Sequence, residues 1–145
     1  MKDLLMIGAQ FKQLSNLMKR QVDEALVRAG IDQVTGMQGW ILGYIAHRQD
    51  QPIFQRDLEE EFRIRRSTAT GILQLMEEKG LLERRPVEWD ARLKQICLTP
   101  KSLAIHQAIE TQIRLVEDDL ASCLTPEELK QLCAILSKLR RHLEK

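Results

Sequence analysis

The chain has 145 residues, a length that fits one compact domain, and its 43% hydrophobic and 30% charged residues can bury a core and keep a solvated surface. No stretch approaches the ~18 consecutive apolar residues of a membrane span. The opening MKDLLMIGAQFKQ lacks the basic region, apolar run and small-residue cleavage site of a secretory signal, so a cytoplasmic protein with no membrane partner is expected. The net charge of +1 lends no support to a nucleic-acid partner, because phosphate neutralisation by Lys and Arg supplies most non-specific affinity; local charge must carry any such case.

Aromatic residues make up only 4%, which with abundant Leu, Gln, Glu, Lys and Arg favours helix. Apolar residues at Leu4, Ile7, Phe11, Leu14, Met18, Val22, Ala25 and Ala29 fall three and four apart, on one stripe of a first helix that Gly30 stops. A second helix starts at Thr35, whose side chain caps while Gln38 reaches back in capping-box spacing, and runs through Trp40, Ile41, Tyr44 and Ile45 until Pro52 ends the region. Its glycines Gly36, Gly39 and Gly43 leave room for another helix to approach.

The middle third changes rhythm. A short helix over residues 55–62, a turn from Arg63 to Arg65 and a helix from about Arg66 to Lys79, stopped by Gly80, make a helix-turn-helix. LLERRPV and KQICL then read as two antiparallel strands, with Pro86 and the polar residues 88–92 marking the loop of a wing. Thr99-Pro100 opens a helix over residues 100–122. After a break at residues 123–125, Thr125-Pro126-Glu127-Glu128 opens another with a full capping box.

The last two helices carry apolar stripes, Ile105, Ile109, Ile113, Val116 and Leu120 on one and Leu129, Leu132, Leu136, Leu139 and Leu143 on the other. A small wing domain offers too little surface to cover three amphipathic helices, so pairing with a second copy in a two-fold bundle is expected. The fold class that follows is mainly α in a single domain, residues 1–145. Residues 34–99 form a winged helix-turn-helix lobe with a two-stranded β wing, and residues 1–30 and 100–145 form a helical homodimerisation lobe.

Within RSTATGILQLMEEKGL the apolar Ala69, Ile72, Leu73 and Met76 share the inward face, leaving Ser67, Thr70, Gly71 and Gln74 outward. A slim polar face of this kind suits a major groove about 12 Å wide, where hydroxyls and Gln read base edges. Glu77 and Glu78 follow in the last turn, where a recognition helix lifts away from the groove. Arg63, Arg65 and Arg66 stand just before that face as phosphate clamps, with Arg66 able to reach a base. Basic and acidic residues cancel over residues 53–99, so the segment is neutral but polarised along the chain. The plainer reading pairs Glu59, Glu60 and Glu61 with these arginines on a solvated surface.

The order of helices, the segment TATGILQLMEEKGLLERR and Asp90-Ala91-Arg92 followed by Leu98-Thr99 resemble the MarR family of transcriptional regulators over nearly the whole chain. The resemblance implies a repressor that binds double-stranded, palindromic operator DNA as a homodimer. It also implies a wing in which Asp90 braces the hairpin through an ion pair and Arg92 enters the minor groove. An Arg at a hairpin tip fits a narrow minor groove, where negative potential is enhanced. Arg84 and Arg85 follow as brace or phosphate contacts and Lys94 as a further DNA contact, whereas a surface turn closed by Asp90 and Arg92 is the bland alternative. Two positions depart from the family: Arg65 stands where a Ser-like cap is usual, and Pro100-Lys101-Ser102 replaces a Gly-containing turn.

The resemblance further implies release by a small, often aromatic, effector held between the two lobes, with Phe11, Trp40, Tyr44 and His47 as candidate lining. A core role for Trp40 and Tyr44, and a surface place for His47 near a helix end, compete with that. Cys97, Cys123 and Cys133 lack CxxC spacing and His47, His106 and His142 are scattered, so reduced thiols, no metal site and no cofactor are expected. No GxSxG, P-loop, GxGxxG or HExxH occurs, so no catalytic residue is assigned. A helical protein-interaction module and a winged-helix regulator that senses nothing remain the competing functions.

Overall fold

The computed structural model describes residues 6–34 and 36–145. Leu4 and the expected cap at Thr35 lie outside the described residues. Among the described residues six helices and one hairpin follow in order: α1 (Ile7–Arg28), α2 (Gly36–Ala46), α3 (Gln55–Phe62), α4 (Arg66–Glu78), β1 (Leu82–Val87), β2 (Asp90–Leu98), α5 (Pro100–Ala121) and α6 (Pro126–Leu143). This is the expected mainly helical fold with a two-stranded antiparallel wing. Two compact units arise, residues 30–110 in one and the described part of residues 1–29 with residues 111–145 in the other, so the division falls inside α5.

Residues 30–110 close around Ile41, Leu42 and Ile45 of α2, Ile53, Leu58 of α3, Leu73 and Met76 of α4, Leu81, Leu82 of β1 and Ile96 of β2. Each such side chain contributes about 1.5–3 kcal/mol on full burial, and this cluster holds the eight-residue α3, which is too short to persist alone. Local signals then set the ends of the elements. Gly30 and Gly80 both take φ +74°, the left-handed stops expected after α1 and α4. Asp57 accepts from the Phe54 amide at 2.8 Å at the start of α3. Thr99 Oγ1 accepts from the Ser102 amide at 3.1 Å while Ser102 Oγ accepts from the Thr99 amide at 2.9 Å, a reciprocal cap at the start of α5. Thr125 and Glu128 do the same for α6.

Three local expectations need correction. Helix α2 ends at Ala46, short of Pro52, because the run His47-Arg48-Gln49-Asp50-Gln51 offers nothing to bury; the chain unwinds into turns such as Arg48 N to Ile45 O at 3.1 Å. The wing loop is Glu88-Trp89 alone, with Asp90, Ala91 and Arg92 already in β2. Val87 faces Asp90 but Pro86 faces Lys94, so residues 91–93 bulge out where Pro86, lacking an N–H, interrupts the ladder. Trp40 is not a core residue: α2 buries Gln38, Ile41, Leu42 and Ile45, and Trp40, turned about 200° from Gln38 at 100° per residue, is 72% exposed. Tyr44 does pack, partly buried, against the core.

In the other unit α1 buries only Ala25 and α6 buries nothing, so Leu129, Leu132, Ile135 and Leu136 lie open along α6 in the single chain.

Candidate nucleic-acid interface

The turn between α3 and α4 is built on a left-handed residue. Arg63 takes φ 52°, ψ 48° and closes α3 with its amide on Glu59 O, and the Ile64 amide reaches the same carbonyl at 3.1 Å. Arg65 is extended at the N-cap of α4 and its side chain makes no capping hydrogen bond to the first amides of that helix. Arg63, Arg65 and Arg66 are all exposed. Among the described residues no ion pair joins them to Glu59, Glu60 or Glu61, so three guanidinium groups stand free around an uncapped helix start.

Along α4, Ala69, Leu73 and Met76 are buried and Ile72 is partly so, while Ser67, Thr70, Gly71 and Gln74 are exposed. No atom stands within 4 Å of where a Cβ on Gly71 would lie, so the backbone there is open to close approach. Thr70 is more occupied than its exposure implies. Its hydroxyl donates to Arg66 O at 2.8 Å and accepts from Gln55 Nε2 at 2.9 Å, and Gln55 Nε2 also lies 3.4 Å from Arg66 O. Gln55, at the first position of α3, thereby braces α4 from the neighbouring helix. Sequence reasoning missed it, because its partners are distant in the chain and nothing in the local spacing marks it.

On the wing, Asp90 Oδ1 accepts from the Arg92 amide at 2.9 Å and lies 3.4 Å from Arg92 Nε, while the Arg92 side chain is 94% exposed. Lys94 is exposed nearby. Arg85 is already engaged: its guanidinium donates to Glu83 Oε2 at 2.7 and 3.2 Å, and that hydrogen bond and charge raise its pKa above the ordinary arginine value. Arg84 turns inward instead, its Nε 3.5 Å from Glu77 Oε2. That nitrogen is buried with no hydrogen bond of good geometry, so the contact is an ion pair by proximity, tying β1 to the last turn of α4.

The expected effector lining falls on both units. Phe11 is exposed on α1, in the other unit. Tyr44 meets Phe62 edge-to-face at 5.9 Å and lies under the Arg48 guanidinium at 3.9 Å, contacts that serve packing. His47, exposed just past α2, points Nε2 at Glu110 Oε1 at 3.1 Å. A pocket of about 410 Å³ in residues 30–110 opens elsewhere, among Arg48, Asp50, Ile53, Gln95, Cys97 and Leu103.

The MarR family pattern matches residues 32–93, the stretch that carries the two short helices and most of the wing. A putative MarR family transcriptional regulator from Clostridium acetobutylicum is 31% identical over 94% of this chain and 97% of that one, with a TM-score of 0.70. MepR, a transcription regulator of the Staphylococcus aureus multidrug efflux pump MepA, is 29% identical over 94% and 97%, with a TM-score of 0.80. Its complex with DNA is similar at 29% identity over 94% and 98%, with a TM-score of 0.72. A helix with an exposed polar face, a basic turn before it and a two-stranded wing bearing an exposed arginine are the parts of a winged helix-turn-helix DNA-binding transcriptional regulator. The chain belongs to the MarR family.

Proposed function

We propose that the protein binds a palindromic double-stranded operator as a homodimer in the cytoplasm, represses transcription from it, and lets go when a small molecule binds. The observation that carries this reading is the free basic and polar surface formed by Arg63, Arg65, Arg66, Ser67, Gly71 and Gln74, with Arg92 extended on the wing. The major groove takes the exposed face of α4, the uncapped start of α4 and its arginines hold phosphates, and Arg92 enters the adjacent minor groove. Lys94 and Arg85 add phosphate contacts, Arg85 sharing its charge with Glu83. Thr70 and Asp90 act by holding Arg66 and Arg92 in place.

The uncovered stripes of α1 and α6 favour the dimer, which would set two recognition helices about 34–36 Å apart on successive major grooves. MepR bound to ethidium bromide supports an aromatic effector for a relative of this kind. Exposed Trp40, with Tyr44 and His47 of the same 30–110 unit, is the proposed lining for one here, acting through its preference between two dimer states. Selection of DNA by the pure protein from a random pool, followed by fluorescence anisotropy on the selected duplex, tests the reading. A two-fold symmetric consensus bound with strong salt dependence is expected; a pool that never enriches would overturn it.

A further inference from the structure

Residues that look scattered in the sequence converge at one point of the 30–110 unit. His47 Nε2 lies 3.1 Å and His106 Nε2 3.2 Å from the same carboxylate oxygen, Glu110 Oε1. The three donor atoms all lie within 4.8 Å of one another, and the two imidazole rings stand edge-to-face at 5.5 Å. We infer that His47, His106 and Glu110 form a binding site for a first-row divalent transition ion of the Zn2+ class.

The donor set is two imidazole nitrogens and one carboxylate oxygen, which suits zinc and its neighbours rather than the hard ions Mg2+ and Ca2+, which favour all-oxygen cages. The spacing fits as well. Ligand atoms about 2.0–2.1 Å from a tetrahedral zinc stand roughly 3.3 Å apart, close to both nitrogen–oxygen distances, so small side-chain adjustments admit the ion. His106 and Glu110 are one turn apart on α5, and His106 is buried with Gly43 of α2 against its ring: a Cβ on Gly43 would lie 3.7 Å from His106 Cε1. His47 follows the end of α2 with its amide on Gly43 O at 3.1 Å. Two ligands are thus fixed by packed helix, and the exposed His47 leaves coordination positions open to water or a small anion. The ion would clip the end of α2 to α5, apart from every residue assigned to DNA.

The test titrates Zn2+ into the chelator-stripped full chain against a chromophoric competitor, in a Cys97→Ser, Cys123→Ser, Cys133→Ser background so that thiols do not compete. One ion per chain is expected, not displaced by excess Mg2+, and Co2+ should give visible absorption bands in its place. His47→Ala and Glu110→Gln, both at solvent-reachable positions, should each weaken binding by at least about tenfold, abolish the cobalt bands and leave the helical circular dichroism intact. Less than half an ion per chain, equal binding in both variants, or displacement by Mg2+ would each reduce the cluster to a hydrogen-bonded surface group.

Discussion

Asp90 holds Arg92 twice, accepting the Arg92 amide at 2.9 Å and lying 3.4 Å from its Nε, while leaving the guanidinium almost wholly in solvent. The first contact shapes the bulged strand and the second aims the side chain, so removing the two residues should have separable effects. Arg92→Ala deletes a charge that meets DNA and should cost about 1–3 kcal/mol of operator affinity and lower the salt slope by about one. Asp90→Ala keeps the charge but loosens its aim. Affinity should fall with the salt slope nearly unchanged. Anisotropy titrations at several salt concentrations decide, and a parental affinity in Arg92→Ala would remove the wing from the interface.

Arg63 combines a backbone cost with a charge. A left-handed conformation at φ 52° costs a non-glycine residue about 1 kcal/mol, which glycine avoids. Arg63→Gly should therefore leave stability equal or raise it by up to about 1 kcal/mol in urea melts, while weakening operator binding and lowering the salt slope by about one. A loss of both stability and binding would mean that the guanidinium is a structural group.

The Gln55 bracket predicts a coupling between helices. Thr70→Val keeps the methyl outline but removes the hydroxyl that links Gln55 Nε2 to Arg66 O, and Gln55→Ala removes the other half. Each should cost on the order of 0.5–1.5 kcal/mol of stability or less, since the groups are exposed. Operator affinity should fall in both. A double-mutant cycle should show that the pair is non-additive, whereas additive losses would dismiss the bracket.

How far the sequence could be read follows from which forces are local. The limits of α3 and α4 were legible because the apolar spacing at Leu73 and Met76 and the stop at Gly80 act within a turn or two. The wing was legible as strands but not in register, because the bulge over residues 91–93 depends on how Pro86 meets a partner strand. Trp40 was misplaced since a helix rich in apolar residues does not announce which face is buried; Gln38, a polar residue, is on the buried face and Trp40 is not. His106 and Glu110 are four apart on α5, but His47 meets them only through tertiary packing, so no spacing rule could have joined all three. Gln55 escaped for the same reason.

Ser102 opens α5 with a fully buried hydroxyl. It accepts from the Thr99 amide, its own amide donates to Thr99 Oγ1, and Thr99 Oγ1 donates to Gly80 O at 2.7 Å, joining the start of α5 to the end of α4. Ser102→Ala leaves the Thr99 amide without its buried acceptor and should destabilise the protein by about 1–2 kcal/mol in chemical denaturation. DNA contacts are not touched, so affinity measured well below the midpoint should stay parental.

The open stripe of α6 makes the last prediction, and it bears on the whole proposed mode of action. Leu132 is exposed in the single chain together with Leu129, Ile135 and Leu136, four apolar side chains on a helix that buries none of its residues. A face of this kind needs a cover. Burying a charge in that cover without a partner costs several kcal/mol, far more than the same charge costs on an open helix. Leu132→Glu should therefore shift sedimentation equilibrium from a dimer to a monomer, with the helical signal of residues 30–110 retained. Affinity for the full two-fold operator should fall toward the weak level of a half-operator, because one recognition helix replaces two and the gain from joint docking is lost. If the parent chain sediments as a monomer at micromolar concentration, or if Leu132→Glu remains a dimer, the two-fold docking proposed above fails, and the apolar face of α6 must be covered by something other than the α6 face of a second copy.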